Sequence, residues 1–224
     1  MSPDCGPLRA VLFDMDGTLL DSERVDILAM SRLFRGDLGL EMDEEDVSSY
    51  RNRPSREVLE EIAPDQVEEA LAAWLDYHLE LVGQACLFPG ILEVLRAFSQ
   101  ANLALGVVTG QNRRELDATR RHLTIDELIE VWVSVDDAPF SKPHPAPVHV
   151  ALDALGCPPG QAVFIGDSQV DMESGRRAGT RLGAALWGLK DPAPLLACQP
   201  DYAFGHPEQM ESLLSSRQKK GDAP

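Results

Sequence analysis

The stretch RAVLFDMDGTLL, residues 9–20, decides the fold. Its apolar run ends abruptly at Asp14, and Gly17 follows three residues later. A short apolar run bounded by turn-forming residues is typical of a strand buried on both faces of a parallel sheet. Residues 9–13 are therefore predicted to form such a strand, and the residues from Asp14 onward to form the loop at its carboxyl end.

Four later apolar runs resemble the first, and helical patterns lie between them. The runs span residues 103–108, 131–135, 162–165 and 180–186. Strands that alternate with helices at this spacing predict βαβ units. The predicted fold class is therefore α/β, with a doubly wound, Rossmann-like parallel sheet that right-handed crossovers cover on both faces.

A long insertion interrupts this alternation after the first strand. It shows helical periodicity and no convincing strand, and Val67, Leu71, Trp74 and His78 form an apolar stripe that we interpret as a packing surface. The predicted domains are a Rossmann-like core, an inserted helical domain and a polar C-terminal tail. The core comprises residues 8–20 and 86–214, the helical domain residues 21–85, and the tail residues 215–224.

Composition excludes several classes of function. The chain has 224 residues, with 37 Asp and Glu against 20 Lys and Arg, and a formal net charge of -17. Such an acidic surface repels nucleic acids and anionic membranes, so neither is an expected partner. The four cysteines include no CxxC pair, which argues against a zinc knuckle or a thioredoxin-type site. Because we find no signal-peptide pattern and no apolar run long enough to span a membrane, the expected location is the cytoplasm.

Chemically active side chains follow the predicted strands. They lie in residues 14–18, 109–111, 141–145 and 166–171. Because ligands of open α/β sheets bind at the carboxyl ends of the strands, these residues should meet at one edge. Several carboxylates at that edge suit Mg²⁺, and a nearby lysine and hydroxyl suit a phosphoryl group that an aspartate could attack. Ser168 is also placed to cap the helix that follows it.

These four stretches resemble the four motifs of the haloacid dehalogenase superfamily, and they occur in the same order along the chain. They are DMDGT at residues 14–18, Thr109, KP at 142–143 and GDSQVD at 166–171. The helical insertion is similar to the C1 cap of the phosphoglycolate phosphatase and β-phosphoglucomutase branch. The resemblance covers nearly the whole chain and implies a capped Rossmann-like core, a Mg²⁺ cofactor and an aspartyl-phosphate intermediate.

The resemblance implies roles for four aspartates. Asp14 would be the nucleophile that takes the phosphoryl group. Asp16 would protonate the leaving alcohol and then activate water, and its backbone carbonyl would bind Mg²⁺. The other Mg²⁺ ligands would be Asp14, Asp167 and Asp171, the last either directly or through water.

The resemblance also implies the residues that hold the substrate. Thr109 and the backbone N–H of Gly110 would hold phosphoryl oxygens, and Lys142 would balance the charge on the nucleophile and the phosphoryl group. Arg53 and Arg56, in the predicted cap, could reach an anionic substrate, although solvated surface arginines are an equally good interpretation. The predicted cap would close over the site and select the leaving group.

Within the superfamily, the sequence favours phosphate ester chemistry. Dehalogenases lack the second aspartate, here Asp16, and phosphonate hydrolysis in this branch requires a cap lysine, whereas no lysine precedes Lys142. We therefore predict a Mg²⁺-dependent phosphatase, a monomer or homodimer, that acts on a small phosphorylated metabolite such as a phosphoglycolate-like compound or a sugar phosphate. A β-phosphoglucomutase-like hexose-phosphate mutase and a catalytically idle phosphate-binding protein remain alternatives.

Overall fold

The computed structural model describes residues 6–42, 44–50 and 55–218. In these residues the strands are β1 (Ala10–Phe13), β2 (Leu20–Asp21), β3 (Cys86–Leu87), β4 (Ala104–Val108), β5 (Val131–Val133), β6 (Ala162–Gly166), β7 (Arg181–Ala185) and β8 (Tyr202–Phe204). The α-helices are α1 (Glu23–Gly36), α2 (Glu44–Ser48), α3 (Ser55–Ile62), α4 (Val67–Leu81), α5 (Ile91–Gln100), α6 (Arg113–Arg120), α7 (Ala146–Ala154), α8 (Gln169–Ala178), α9 (Ala193–Leu196) and α10 (Ser212–Gln218).

A parallel sheet forms the centre of the fold, in the order β5-β4-β1-β6-β7-β8. Every residue of β1 and β6 is buried, which explains why both strands are apolar throughout. Phe13 is aligned with Val107 on one side and with Ile165 on the other. The three central strands therefore end at the same level, and the predicted α/β fold is confirmed.

The strand predictions differ from the structure at short elements. β5 ends at Val133 because Ser134 caps a 3₁₀ turn, where its hydroxyl donates to Asp137 Oδ2 at 2.6 Å. The edge strand β8 was not predicted, since three residues are too few to show a period. The separate two-stranded pair of β2 and β3 was missed for the same reason.

The chain divides into two compact units. The first comprises Met1–Asp21, Leu87–Leu116 and Leu123–Pro224, and the second, which we call the helical unit, comprises Ser22–Cys86 and Asp117–His122. Residues 117–122, which the sequence prediction assigned to the core, thus group with the helical unit. In the first unit, α7 packs against β4 and β5, and α8 packs against β6 and β7.

The helical unit has its own apolar core. Leu33, Phe34 and Leu59 are fully buried there, and the predicted α4 stripe packs against this cluster through residues that include Trp74. His78 on the same helix is buried, with its Nδ1 3.1 Å from Asp26 Oδ1. Among the helices described here, none combines the length and the apolar character needed to cross a membrane.

Candidate active site

The loop after β1 places Asp14 at the sheet edge. Its side chain is 10% exposed, and its backbone N–H donates to Ile165 O at 2.8 Å. Gly17 has a φ of +77°, and a Cβ at this position would overlap the Asp167 carboxylate. Thr18 Oγ1 donates to Asp167 Oδ1 at 3.3 Å. Only glycine therefore lets this loop turn back so closely over the neighbouring acidic side chain.

The loop after β6 fixes Asp171 at the start of α8. Ser168 is the N-cap of this helix: its Oγ accepts from the backbone N–H of Asp171 at 3.2 Å and donates to Asp171 Oδ2. The prediction that Ser168 caps this helix is thereby confirmed. A Cβ on Gly166 would lie 2.5 Å from the Asp171 Cβ, so the Asp171 side chain packs directly against the backbone of Gly166, where no side chain intervenes. Asp171 is only 1% exposed.

Lys142 joins the two acidic loops. Its Nζ lies 2.6 Å from Asp14 Oδ1, 2.6 Å from Asp171 Oδ1 and 3.2 Å from the carbonyl oxygen of Val108. An ammonium group has three N–H donors, and these three acceptors use all of them. Since the side chain is 9% exposed, Lys142 is a fixed internal charge rather than a solvated surface lysine.

Negative charge exceeds positive charge in this cluster. Oxygen atoms of Asp14, Asp167 and Asp171 lie within 4.8 Å of one another. Burial and the charge of Asp171 raise the pKa of Asp14 well above its ordinary value, although Lys142 opposes the shift. Burial and Asp171 likewise raise the pKa of Asp167 to about 7. Burial alone would lower the pKa of Lys142, but Asp14 and Asp171 raise it above its ordinary value, so the lysine stays charged.

The donor set of this cluster fits a small, hard cation. Three carboxylates supply oxygen ligands only, and one lysine cannot balance their combined charge. Divalent cations that prefer oxygen ligands suit such a set, and Asp14, Asp167 and Asp171 are the residues that could hold one. The Asp16 side chain is not part of the group. Its predicted contribution through the backbone carbonyl stays a prediction.

The loop after β4 contacts Asp16 through Gln111. Thr109 is 2% exposed, and its Oγ1 accepts from the backbone N–H of Gln111 at 3.1 Å. Gln111 Nε2 in turn donates to Asp16 Oδ2 at 2.9 Å. Gly110 is exposed, and a Cβ there would have no neighbour within 4 Å, so its backbone borders open space. The structure thus brings Asp16 beside the predicted phosphoryl-binding loop.

Of the two arginines predicted to bind substrate, Arg56 is described by its contacts within the helical unit. Arg56 pairs with Glu68 within the helical unit, with Nη1 2.7 Å from Oε1 and Nη2 3.2 Å from Oε2. An anion that binds Arg56 would therefore compete with Glu68. Arg53 lies outside the described residues. Substrate binding by either arginine stays a prediction.

Sequence reasoning missed two residues that support the site. Trp187 Nε1 donates to the carbonyl oxygen of Thr18 at 3.0 Å, which ties the loop after β7 to the loop after β1. Gln111 lies within the predicted loop of residues 109–111, but the sequence does not indicate its contact with Asp16. Its place directly after Thr109-Gly110 was the available signal, whereas nothing in the sequence around Trp187 indicated its contact.

Comparisons with known proteins are consistent with this geometry. The family model described as haloacid dehalogenase-like hydrolase matches residues 11–185. Pyrophosphatase PpaX of Bacillus cereus (strain AH820) is 29% identical over 212 residues, covering 93% of this chain and 97% of the relative. Pyrophosphatase PpaX of Bacillus velezensis is 30% identical over 211 residues, with coverages of 92% and 95%. A crystal structure from Lactobacillus plantarum, provisionally named a phosphoglycolate phosphatase, is similar with a TM-score of 0.82 and 27% identity, covering 92% of this chain and 99% of that chain.

Proposed function

The chain belongs to the haloacid dehalogenase-like hydrolases, and from this premise we propose that it is a Mg²⁺-dependent phosphatase acting on a small phosphomonoester through an aspartyl-phosphate intermediate. The observation that carries the proposal is the position of Asp14. It lies at the end of a central strand, 2.6 Å from Lys142 and within 4.8 Å of two further carboxylates. This position supports the proposal, because a carboxylate able to attack phosphorus lies beside a positive charge and beside oxygen atoms able to hold a cation.

In the first step, an oxygen of Asp14 attacks the phosphorus atom, and the bond from phosphorus to the leaving oxygen breaks. Asp16 donates its proton to that oxygen, so the alcohol leaves neutral. A positioned acid of this kind contributes about 10²–10⁴-fold in rate. Lys142 remains protonated, and Thr109 and the Gly110 N–H hold phosphoryl oxygens. When bound by the acidic cluster, Mg²⁺ supplies positive charge that stabilises the transferring phosphoryl group.

In the second step, Asp16, now a carboxylate, takes a proton from water as the water oxygen attacks phosphorus. The bond between phosphorus and Asp14 breaks, and inorganic phosphate leaves. The proton from water returns Asp16 to its acid form, and Asp14 returns to a carboxylate. Two displacements thus need two distinct aspartates, which is what the DMD sequence provides.

Inorganic pyrophosphate is a second candidate substrate. The observation that favours it is the name of the two relatives at 29–30% identity, both pyrophosphatases. The same two displacements apply, with inorganic phosphate as the leaving group. A hexose-phosphate mutase would also form an aspartyl phosphate, but it would return the phosphoryl group to sugar rather than to water.

The test is phosphate release from a panel of phosphomonoesters and pyrophosphate, with and without Mg²⁺. We expect Mg²⁺-dependent release that Asp14→Asn abolishes. Asp153→Asn, a matched change at an exposed aspartate of α7, should leave release intact. Turnover retained in Asp14→Asn would refute the assignment of Asp14 as the nucleophile. Isomer interconversion without free phosphate would favour the mutase, and phosphate binding without any turnover would favour the idle binder.

A further inference from the structure

The side chain of Gln111 connects two loops of the site. Its Nε2 lies 2.9 Å from Asp16 Oδ2, and the side chain is almost fully buried, with the residue 7% exposed. Backbone contacts fix the residue on both sides: its N–H donates to Thr109 Oγ1 at 3.1 Å, and its carbonyl accepts from the Val135 N–H at 3.0 Å. The amide is thus held by the same loop that carries Thr109.

We propose that Gln111 is a positioning residue that orients Asp16 so that Oδ1, and not Oδ2, carries the proton given to the leaving group. The inference rests on the proposed phosphatase function and deepens it. An amide nitrogen only donates, and the unprotonated oxygen of a carboxyl group is the stronger acceptor, so the bond from Nε2 to Oδ2 favours the proton on Oδ1. Gln111 itself exchanges no proton, so it acts only through Asp16.

This role predicts a dependence on the leaving group. An alkoxide leaves poorly unless it is protonated, so the orientation of Asp16 matters most for alkyl phosphates. p-Nitrophenolate leaves readily without a proton, so p-nitrophenyl phosphate tests the same nucleophile without the same need for the acid. The ratio of kcat/KM for the two substrates therefore isolates proton donation, because kcat/KM reports the first chemical step and not the later attack by water.

The experiment uses the full chain with saturating Mg²⁺ and compares p-nitrophenyl phosphate with the best alkyl phosphate of the substrate panel. Gln111→Met keeps the length of the side chain but removes the donor. We expect kcat/KM for the alkyl phosphate to fall about 10–100-fold, part of the contribution of general acid catalysis. For p-nitrophenyl phosphate the fall should be about 3-fold or less.

Two further variants separate this role from a structural one. Asn112→Ala changes the next residue, whose Oδ1 accepts from the Glu115 N–H at 3.0 Å, and should leave the ratio of the two substrates unchanged. If Gln111→Met does not fold, Gln111→Ala, which adds no bulk, is measured in its place with the same expected change in ratio. An equal fall for both substrates would overturn the inference while leaving the phosphatase function intact. Absence of turnover of both substrates by the wild-type protein would overturn the proposed function, and the inference with it.

Discussion

Replacement of Lys142 by methionine tests the charge balance of the site. The ammonium group lies 2.6 Å from both Asp14 and Asp171, and the lysine side chain is 9% exposed. Methionine fills a similar volume but leaves the two carboxylates without their shared cation. Removing one partner of a buried ion pair typically costs about 3–5 kcal/mol, because the remaining charge stays buried.

The expected loss translates into a measurable change in melting temperature. For a chain of this length, each kcal/mol shifts Tm by about 2–4 °C, which gives a decrease of roughly 6–20 °C for Lys142→Met. The loss should also depend on pH. Burial already raises the pKa of Asp14, and loss of the lysine would raise it further. A carboxyl group with a raised folded-state pKa costs more stability as pH rises, so the loss should be larger at about pH 8 than at about pH 5.5.

Thermal unfolding without metal, followed by circular dichroism at both pH values, measures this effect. Lys190→Met is the matched control, because Lys190 is exposed and its loss should change stability by no more than about 0.5 kcal/mol. Mg²⁺ should restore part of the stability of Lys142→Met by binding the uncovered carboxylates. A loss below about 1 kcal/mol, or a loss of equal size at both pH values, would refute the assigned charge balance.

Two other predictions concern the loop after β1 and the cation. Gly17→Ala should lower stability by about 1–3 kcal/mol and reduce turnover, because the new Cβ would overlap the Asp167 carboxylate at a φ of +77°. The control is Gly156→Ala, at a φ of +57° with nothing within 4 Å of the new Cβ, which should lower stability less and leave turnover unchanged. Equal effects of the two variants in thermal unfolding and phosphate-release assays would contradict this reasoning. The pKa of Asp167 is raised to about 7, so the metal-free protein loses stability as pH rises from about 4 towards 7. Over the same range fewer protons compete with a cation for the Asp167 carboxylate. The increase in Tm produced by Mg²⁺ should therefore be larger at about pH 8 than at about pH 6 and absent in Asp167→Asn, and a pH-independent increase would count against the cation site.

The fold was largely predictable because buried parallel strands have a strong signature. β1, β4 and β6 are apolar runs that end at Asp14, Thr109 and Asp167, and their order in the sheet brings these ends together. Short elements were not predictable. β8 has three residues at the sheet edge, and its position depends on pairing with β7 rather than on a pattern of its own.

The sequence by itself determined which side chains follow the central strands, and hence which aspartates lie at the sheet edge, because strand ends can be identified from local hydrophobicity. Tertiary structure alone decided how these groups share their charges and hydrogen bonds. Lys142 is separated from Asp14 by 128 residues, and Gln111 from Asp16 by 95. A contact of 2.6–2.9 Å between such distant residues depends on loop geometry and rotamers, which folding fixes and local sequence patterns do not encode.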